Sequence, residues 1–116
     1  MKILVTGGTG LVGNAINEIH NQYNYKFIFL SSKDGDLCIM NNVDNIFKKE
    51  QPDIVIHLAA CVGGLYKNLN DNAKMYEKNI QINMNVLSCC VKYNVKKVVN
   101  CLSTCIFPDK TILKNI

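Results

Sequence analysis

The run KILVTGGTGLVG at residues 2–13 constrains this chain more than any other feature. Its first half is short, apolar and rich in β-branched side chains, and reads as a strand buried on both faces. The glycines that follow satisfy G-x-x-G-x-x-G through Gly7, Gly10 and Gly13, and G-x-G-x-x-G through Gly8, Gly10 and Gly13. A bare glycine pattern says little. One that directly follows a strand and opens a helix is the setting in which backbone cradles a pyrophosphate. There Gly7 permits the tight turn, Gly10 lets the backbone approach the phosphates, and Gly13 lets helix and strand pack closely. The helix N-terminus, beginning at Leu11 and Val12, then offers free N–H groups and a positive dipole end. Gly7, Gly8, Thr9, Gly10, Leu11, Val12 and Gly13 are therefore the expected phosphate-side residues of a dinucleotide site.

The rest of the chain alternates strand and helix. Leu11, Val12, Ala15, Ile16 and Ile19 share one face of a first helix. KFIFL at 26–30 is a second strand, Val43, Ile46 and Phe47 mark a short helix stopped before Pro52, and DIVIHL at 53–58 is a third strand. Tyr76, Ile80, Met84, Leu87 and Val91 stripe a long helix of about five turns. KVVNCL at 97–102 is a fourth strand, after a break at Asn94. This alternation predicts an α/β fold, a Rossmann-like doubly wound parallel sheet with flanking helices. With four strands the sheet is incomplete, and an open last edge points to a larger fold.

Composition removes several function classes. At 116 residues there is room for one domain with a modest core. The formal charge is +4, and all 13 basic residues are lysines. They are scattered, without the basic stripe and aromatic platforms that nucleic acid requires. No apolar run approaches a membrane span and the N-terminus lacks a signal-peptide pattern, so a cytoplasmic protein off the membrane is expected. Cys38, Cys61, Cys89, Cys90 and Cys101 read as small core hydrophobes. No C-x-x-C pair occurs, and His20 and His57 add no recognisable ligand spacing, so no metal is expected.

The strand ends carry the remaining chemistry, because ligands of this fold gather there. After the second strand comes Ser31-Ser32-Lys33 where an acid would hold the ribose of NAD. Hydroxyls and a cation suit a 2′-phosphate, which favours NADP(H) through Ser32 and Lys33, although Lys33 also fits a solvated lysine of a polar loop. Asp36 and Leu37 are placed beside the adenine. The third strand ends in His57-Leu58-Ala59-Ala60, where Leu58, Ala59 and Ala60 let a cofactor lie close to backbone. His57 reads as a strand histidine with a local partner rather than a catalyst. Gly63 and Gly64 give the next loop freedom to approach a substrate. The fourth strand ends in CLSTCIFP, with Leu102 beside the cofactor. Ser103 could donate to a substrate carbonyl, and Cys105 could act as acid or base near a cationic ring. Read alone, the pair fits an ordinary loop serine and buried cysteine equally well.

Taken together, TGGTGLVG, SSKDGDL, HLAACVGGL and CLSTCIFPDK resemble the GDP-L-fucose synthases, a branch of the extended short-chain dehydrogenase/reductases. The glycine motif is shared by many nucleotide-sugar enzymes; VGGL after HLAA, and STCIFPDK, are more specific. The resemblance implies NADP-dependent epimerisation at C3 and C5, then reduction at C4, of GDP-4-keto-6-deoxy-D-mannose to GDP-L-fucose. It implies that Ser103 binds the reacting carbonyl and that Cys105 is the epimerisation acid/base. It places Asn79 at the family's helix asparagine and implies a homodimer through the same helix. It also covers only about a third of the family's length. The family's Tyr-x-x-x-Lys pair, which protonates the reduced carbonyl, is not in this chain. Tyr93 and Lys97 match the spacing but lie at the end of the long helix and the start of the fourth strand, not after it. Residues 1–116 are thus expected to be the N-terminal part of an NADP-binding Rossmann domain, without the substrate domain and inactive alone. The alternatives are a non-catalytic nucleotide-binding or dimerising module, or another nucleotide-sugar epimerase or dehydratase.

Overall fold

The computed structural model describes residues 1–61 and 65–101, with the side chains of 65–72 set aside. Four parallel strands form one sheet: β1 (Lys2–Thr6), β2 (Lys26–Phe29), β3 (Ile54–His57) and β4 (Lys97–Asn100), in the order β2-β1-β3-β4. Helices α1 (Leu11–Ile19), α2 (Met40–Glu50) and α3 (Leu65–Lys92) make the three connections. Strand β1 has the predicted bounds, while the other three begin where the sequence predicts, or one residue later, and end one or two residues sooner. Helix α3 is longer than its stripe suggests, at 28 residues. Its first turns, LYKNLNDNAK, are too polar and asparagine-rich to announce a helix.

The sheet register sorts the core. Leu4 lies between Ile28 and Val55, and these face α2 and α3. Val43 and Phe47 of α2, with Ile82, Val86, Cys89 and Cys90 of α3, complete this buried cluster. Ile3 and Val5 alternate to the other face with Phe27 and Phe29, whose rings meet the edge of His20 just after α1. Helix α2 stops because Gln51 takes a left-handed conformation ahead of Pro52, and α3 stops at Asn94 in the same conformation. At that end Asp44 accepts from the Tyr93 hydroxyl at 2.8 Å and from Lys92 at 2.6 Å, tying α3 to α2. Tyr93 lies between α3 and β4, on the side of the sheet where the strands begin.

Two helix faces differ from expectation. Of the first helix's apolar residues only Ile16 is even half-buried, and Leu11 is 91% exposed. The helix meets the turn through Gly13 instead. On α3 the stripe of Tyr76, Ile80, Met84, Leu87 and Val91 points outward, with Tyr76 68% and Val91 80% exposed. The buried face is Met75, Ile82, Asn85, Val86, Cys89 and Cys90. Helix α3 is apolar on two sides, and the larger side chains occupy the outer one. The cysteine reading also needs correction. Cys89 and Cys90 are core, Cys38 is half-buried against the core cluster ahead of α2, Cys61 is half-buried and Cys101 exposed, because the last two follow the ends of β3 and β4.

The turn after β1 is held by close backbone packing. Gly7 has φ +66°, and a Cβ there would lie 2.8 Å from the Ala59 nitrogen. A Cβ on Gly13 would lie 2.5 Å from the carbonyl carbon and oxygen of Gly8 and 2.6 Å from the Gly7 oxygen. Gly13 therefore packs on the turn itself rather than on the strand.

Thr6 and His57 join the strand ends. The Thr6 hydroxyl accepts from the Leu58 and Ala59 N–H groups, each at 3.1 Å. Its own proton is left for His57 Nδ1 at 2.7 Å. His57 Nε2–H then donates to Asn83 Oδ1 of α3 at 2.7 Å. The ring is neutral, 3% exposed and fully used. Burial pushes its pKa down, and the Asn83 bond opposes this only partly.

Two outcomes follow from this packing. Gly13→Ala gains about 1 kcal/mol of helix propensity, but overpacking against rigid backbone costs about 3 kcal/mol. A net loss of about 2 kcal/mol is expected in denaturant unfolding. For His57, the unfolded ring takes up a proton near its ordinary pKa and the folded ring resists it. Stability should be level above about pH 7 and fall as the pH drops through the ordinary imidazole range. His57→Asn should remove this slope, whatever it does to the melting temperature itself. An unchanged slope would show that the ring titrates freely in the folded state.

Candidate functional site

A cleft of about 760 Å³ opens at the carboxyl ends of the strands. One wall is the β1–α1 turn, through Gly7, Thr9, Gly10, Leu11, Val12 and Gly13. The turn is closed by a Gly10 N–H to Gly7 oxygen bond of 3.0 Å, and the Asn14 side chain donates to the Thr9 carbonyl at 3.1 Å. No side chain caps α1 at Gly10, and its first turn holds no acidic residue. The N–H groups of that turn face the cleft with a positive dipole end, which suits an anion. Gly8 does not belong to this wall. It turns toward β2, where a Cβ would meet Phe29 Cβ at 2.7 Å, and its N–H donates to the Leu30 carbonyl at 2.8 Å. Its role is to let β2 pass close by.

The second wall follows β2. The backbone N–H of Ser31 donates to Asp34 at 2.7 Å, and its hydroxyl donates to the same oxygen at 3.2 Å and accepts from the Lys33 N–H at 3.2 Å. This closes a 3₁₀ turn over Ser32–Asp34 and commits the Ser31 hydroxyl, leaving Ser32 as the available hydroxyl on the wall. Lys33 is exposed on that turn and does not line the cleft, contrary to expectation. Asp36 and Leu37 do line it. The Asp36 carboxylate accepts from the Cys38 N–H at 2.9 Å, and the Leu37 carbonyl accepts from Asn85 of α3 at 2.9 Å.

The floor is the outgoing chain of β3. Leu58, Ala59 and Ala60 line it, with Leu58 and Ala59 fixed by the Thr6 hydroxyl. Cys61 follows, clamped by Asn79 through two bonds: its N–H donates at 2.6 Å and its carbonyl accepts at 3.0 Å. Asn79 therefore positions the floor loop. The sequence reading missed Leu30, Gly35, Cys38, Cys61, Lys78, Ile82 and Cys101 as lining residues. Lys78 and Ile82 stand four apart on α3, and the i, i+4 signal was present but belonged to the stripe passed over. Burial, then the Asp36 charge, pushes the Cys38 thiol up, so it is a wall residue and not a thiolate. Gly63, Gly64, Leu102, Ser103 and Cys105 lie outside the described residues.

A family model described as the NAD dependent epimerase/dehydratase family matches residues 3–115. GDP-L-fucose synthase of Dictyostelium discoideum is 48% identical over 112 residues, covering 94% of this chain and 35% of that protein. The probable GDP-L-fucose synthase of Drosophila melanogaster is 48% identical over 113 residues, covering 95% and 35%. A crystal structure of a GDP-L-fucose synthetase from Naegleria fowleri bound to NADP has a TM-score of 0.86 and 50% identity, covering 96% of this chain and 34% of that one. The chain spans about a third of the length of these relatives. With its glycine turn, strand-end cleft and nearly all its length matched, the chain belongs to the NAD dependent epimerase/dehydratase family.

Proposed function

We propose that this chain is the dinucleotide-binding, N-terminal part of a GDP-L-fucose synthase, which epimerises GDP-4-keto-6-deoxy-D-mannose and reduces it to GDP-L-fucose with NADP(H). One observation carries the reading: an uncapped helix N-terminus and a small-residue floor face each other across one cleft, in a chain this similar to the relatives above. The residues fit a dinucleotide. The N–H groups of α1 bind the pyrophosphate, the wall at Asp36 and Leu37 flanks the adenine, and Ala59 and Ala60 leave room for a flat ring. The Ser32 hydroxyl suits a 2′-phosphate, where an acid would reject it.

When bound, NADPH supplies the hydride that reduces the C4 ketone. Ser103 holds the ketone oxygen, and Cys105 moves protons at C3 and C5, which are acidic because they adjoin the ketone. Gly63 and Gly64 border the sugar. The described cysteines are all free thiols, which fits a reducing cytoplasmic location. No metal takes part in this reading.

In the intact enzyme, Ser103→Ala is expected to slow NADPH oxidation by about 10²-fold or more. Cys105→Ala is expected to abolish exchange of the C3 and C5 hydrogens with deuterated solvent. Intact protein that leaves NADPH untouched with this substrate would refute the reading. The 116-residue chain, without the family's Tyr-x-x-x-Lys pair after β4, should show no turnover.

The reading includes a homodimer through the outer face of α3. Tyr76, Ile80, Met84, Leu87 and Val91 form an exposed apolar stripe along one element. A patch of this kind marks an association surface, and a two-fold pairing of one helix with its copy buries it on both partners. Met84→Glu combined with Ile80→Glu is expected to convert a dimer to monomer in analytical ultracentrifugation, with an unchanged circular dichroism spectrum.

A further inference from the structure

The inward face of α3 runs Met75, Lys78, Ile82, Asn85, Val86, Cys89, at helical spacings of three and four. Every member except Lys78 is buried. A cation interrupts an inward stripe at the point where the sheet ends and the helix continues over the cleft. Lys78 lines that cleft. It is the one basic residue that does so among the described residues, and Asp36 is the one acid. The Asp36 carboxylate is already turned to the Cys38 N–H.

The backbone around Lys78 is fixed on both sides. Its carbonyl accepts from the Cys38 thiol at 3.8 Å, and its neighbour Asn79 grips Cys61 by two bonds. The loops that follow β2 and β3 are thus both attached to the turn that carries Lys78. The ammonium is also near enough to Cys38 to act on its thiol, opposing the upward push of burial. Lys33, the cation that the sequence offers, sits on an exposed turn away from the lining.

Resting on the dinucleotide reading above, we propose that Lys78 supplies the positive charge that meets a phosphate of the bound cofactor. The helix stripe and the loop attachments aim it there, and Lys33 does not share the role. The same chemistry serves the 2′-phosphate or the pyrophosphate, and two cofactors separate them.

The test is a fluorescence titration of the intact enzyme with NADPH and with NADH, for wild type, Lys78→Met, Lys78→Arg and Lys33→Met. Lys78→Met should weaken NADPH about tenfold, the effect of one charge-assisted bond at a partly exposed site. It should also flatten the salt dependence of binding. Lys78→Arg should retain most of the affinity and Lys33→Met nearly all of it. Because Lys78 is exposed, its melting curve serves as the folding control. Loss confined to NADPH assigns the 2′-phosphate, and equal loss for both cofactors assigns the pyrophosphate. Unchanged affinity of Lys78→Met for both, or a tenfold loss in Lys33→Met instead, overturns the proposal while the cofactor reading stands. Wild-type enzyme that binds neither cofactor takes both down.

Discussion

The strand-end cleft depends on one buried hydroxyl. Thr6 is fully buried, and its oxygen serves the Leu58 and Ala59 N–H groups while its proton goes to His57. The Leu58 N–H is shared between this hydroxyl and the Thr6 carbonyl, whereas the Ala59 N–H has the hydroxyl as its partner, and left unpaired in the interior it would cost about 1–3 kcal/mol. Thr6 answers both from the neighbouring strand and so fixes where the floor runs. Gly7 follows at once, and any side chain there would collide with the floor that Thr6 has placed. The turn and the floor are thus one unit, specified by two adjacent residues.

Helix α3 brings the rest of the cleft to that unit. Its asparagines act at three places: Asn79 on Cys61, Asn83 on His57 and Asn85 on the Leu37 carbonyl. Short amides suit this work because they satisfy backbone groups without burying charge. Each contact lies at the upper rim of the sheet, above the apolar cluster of Ile82, Val86 and Cys89 that fixes the helix against α2 and β1. The helix is thereby positioned by its apolar half and positions loops with its polar half.

The strands, the turn and the parallel order were legible because their signals are local. A buried strand is a short apolar run, and a phosphate turn is a fixed set of glycines after it. The helix faces were not legible in the same way. On α3 the period of 3.6 fits two stripes, and Tyr76, Ile80 and Met84 outweigh Ile82, Val86 and Cys89 by size alone. Only the sheet decides which stripe is inside. The same holds for the cleft wall. Cys38, Cys61 and Cys101 look like core residues in sequence, and they become wall residues because each falls on a connection, Cys38 ahead of α2 and Cys61 and Cys101 after β3 and β4. Lys33 follows the pattern in reverse: it stands at the right sequence position, but the Ser31–Asp34 bonds wind that segment into a turn that carries it outward.

This difference bears on how charge is arranged around the cleft. The glycine turn is built from backbone, so its positive end is fixed once the helix forms and needs no side chain. A side-chain cation must be delivered from somewhere else, and the loop after β2 is a poor carrier. Its Ser31 hydroxyl and its Asp34 and Asp36 carboxylates are paired with the loop's own N–H groups, which wind it into turns. A rigid helix that crosses the open side of the cleft is a better carrier, because its direction is set by a core far from the ligand. That is the place Lys78 occupies, one residue before the asparagine that grips the floor.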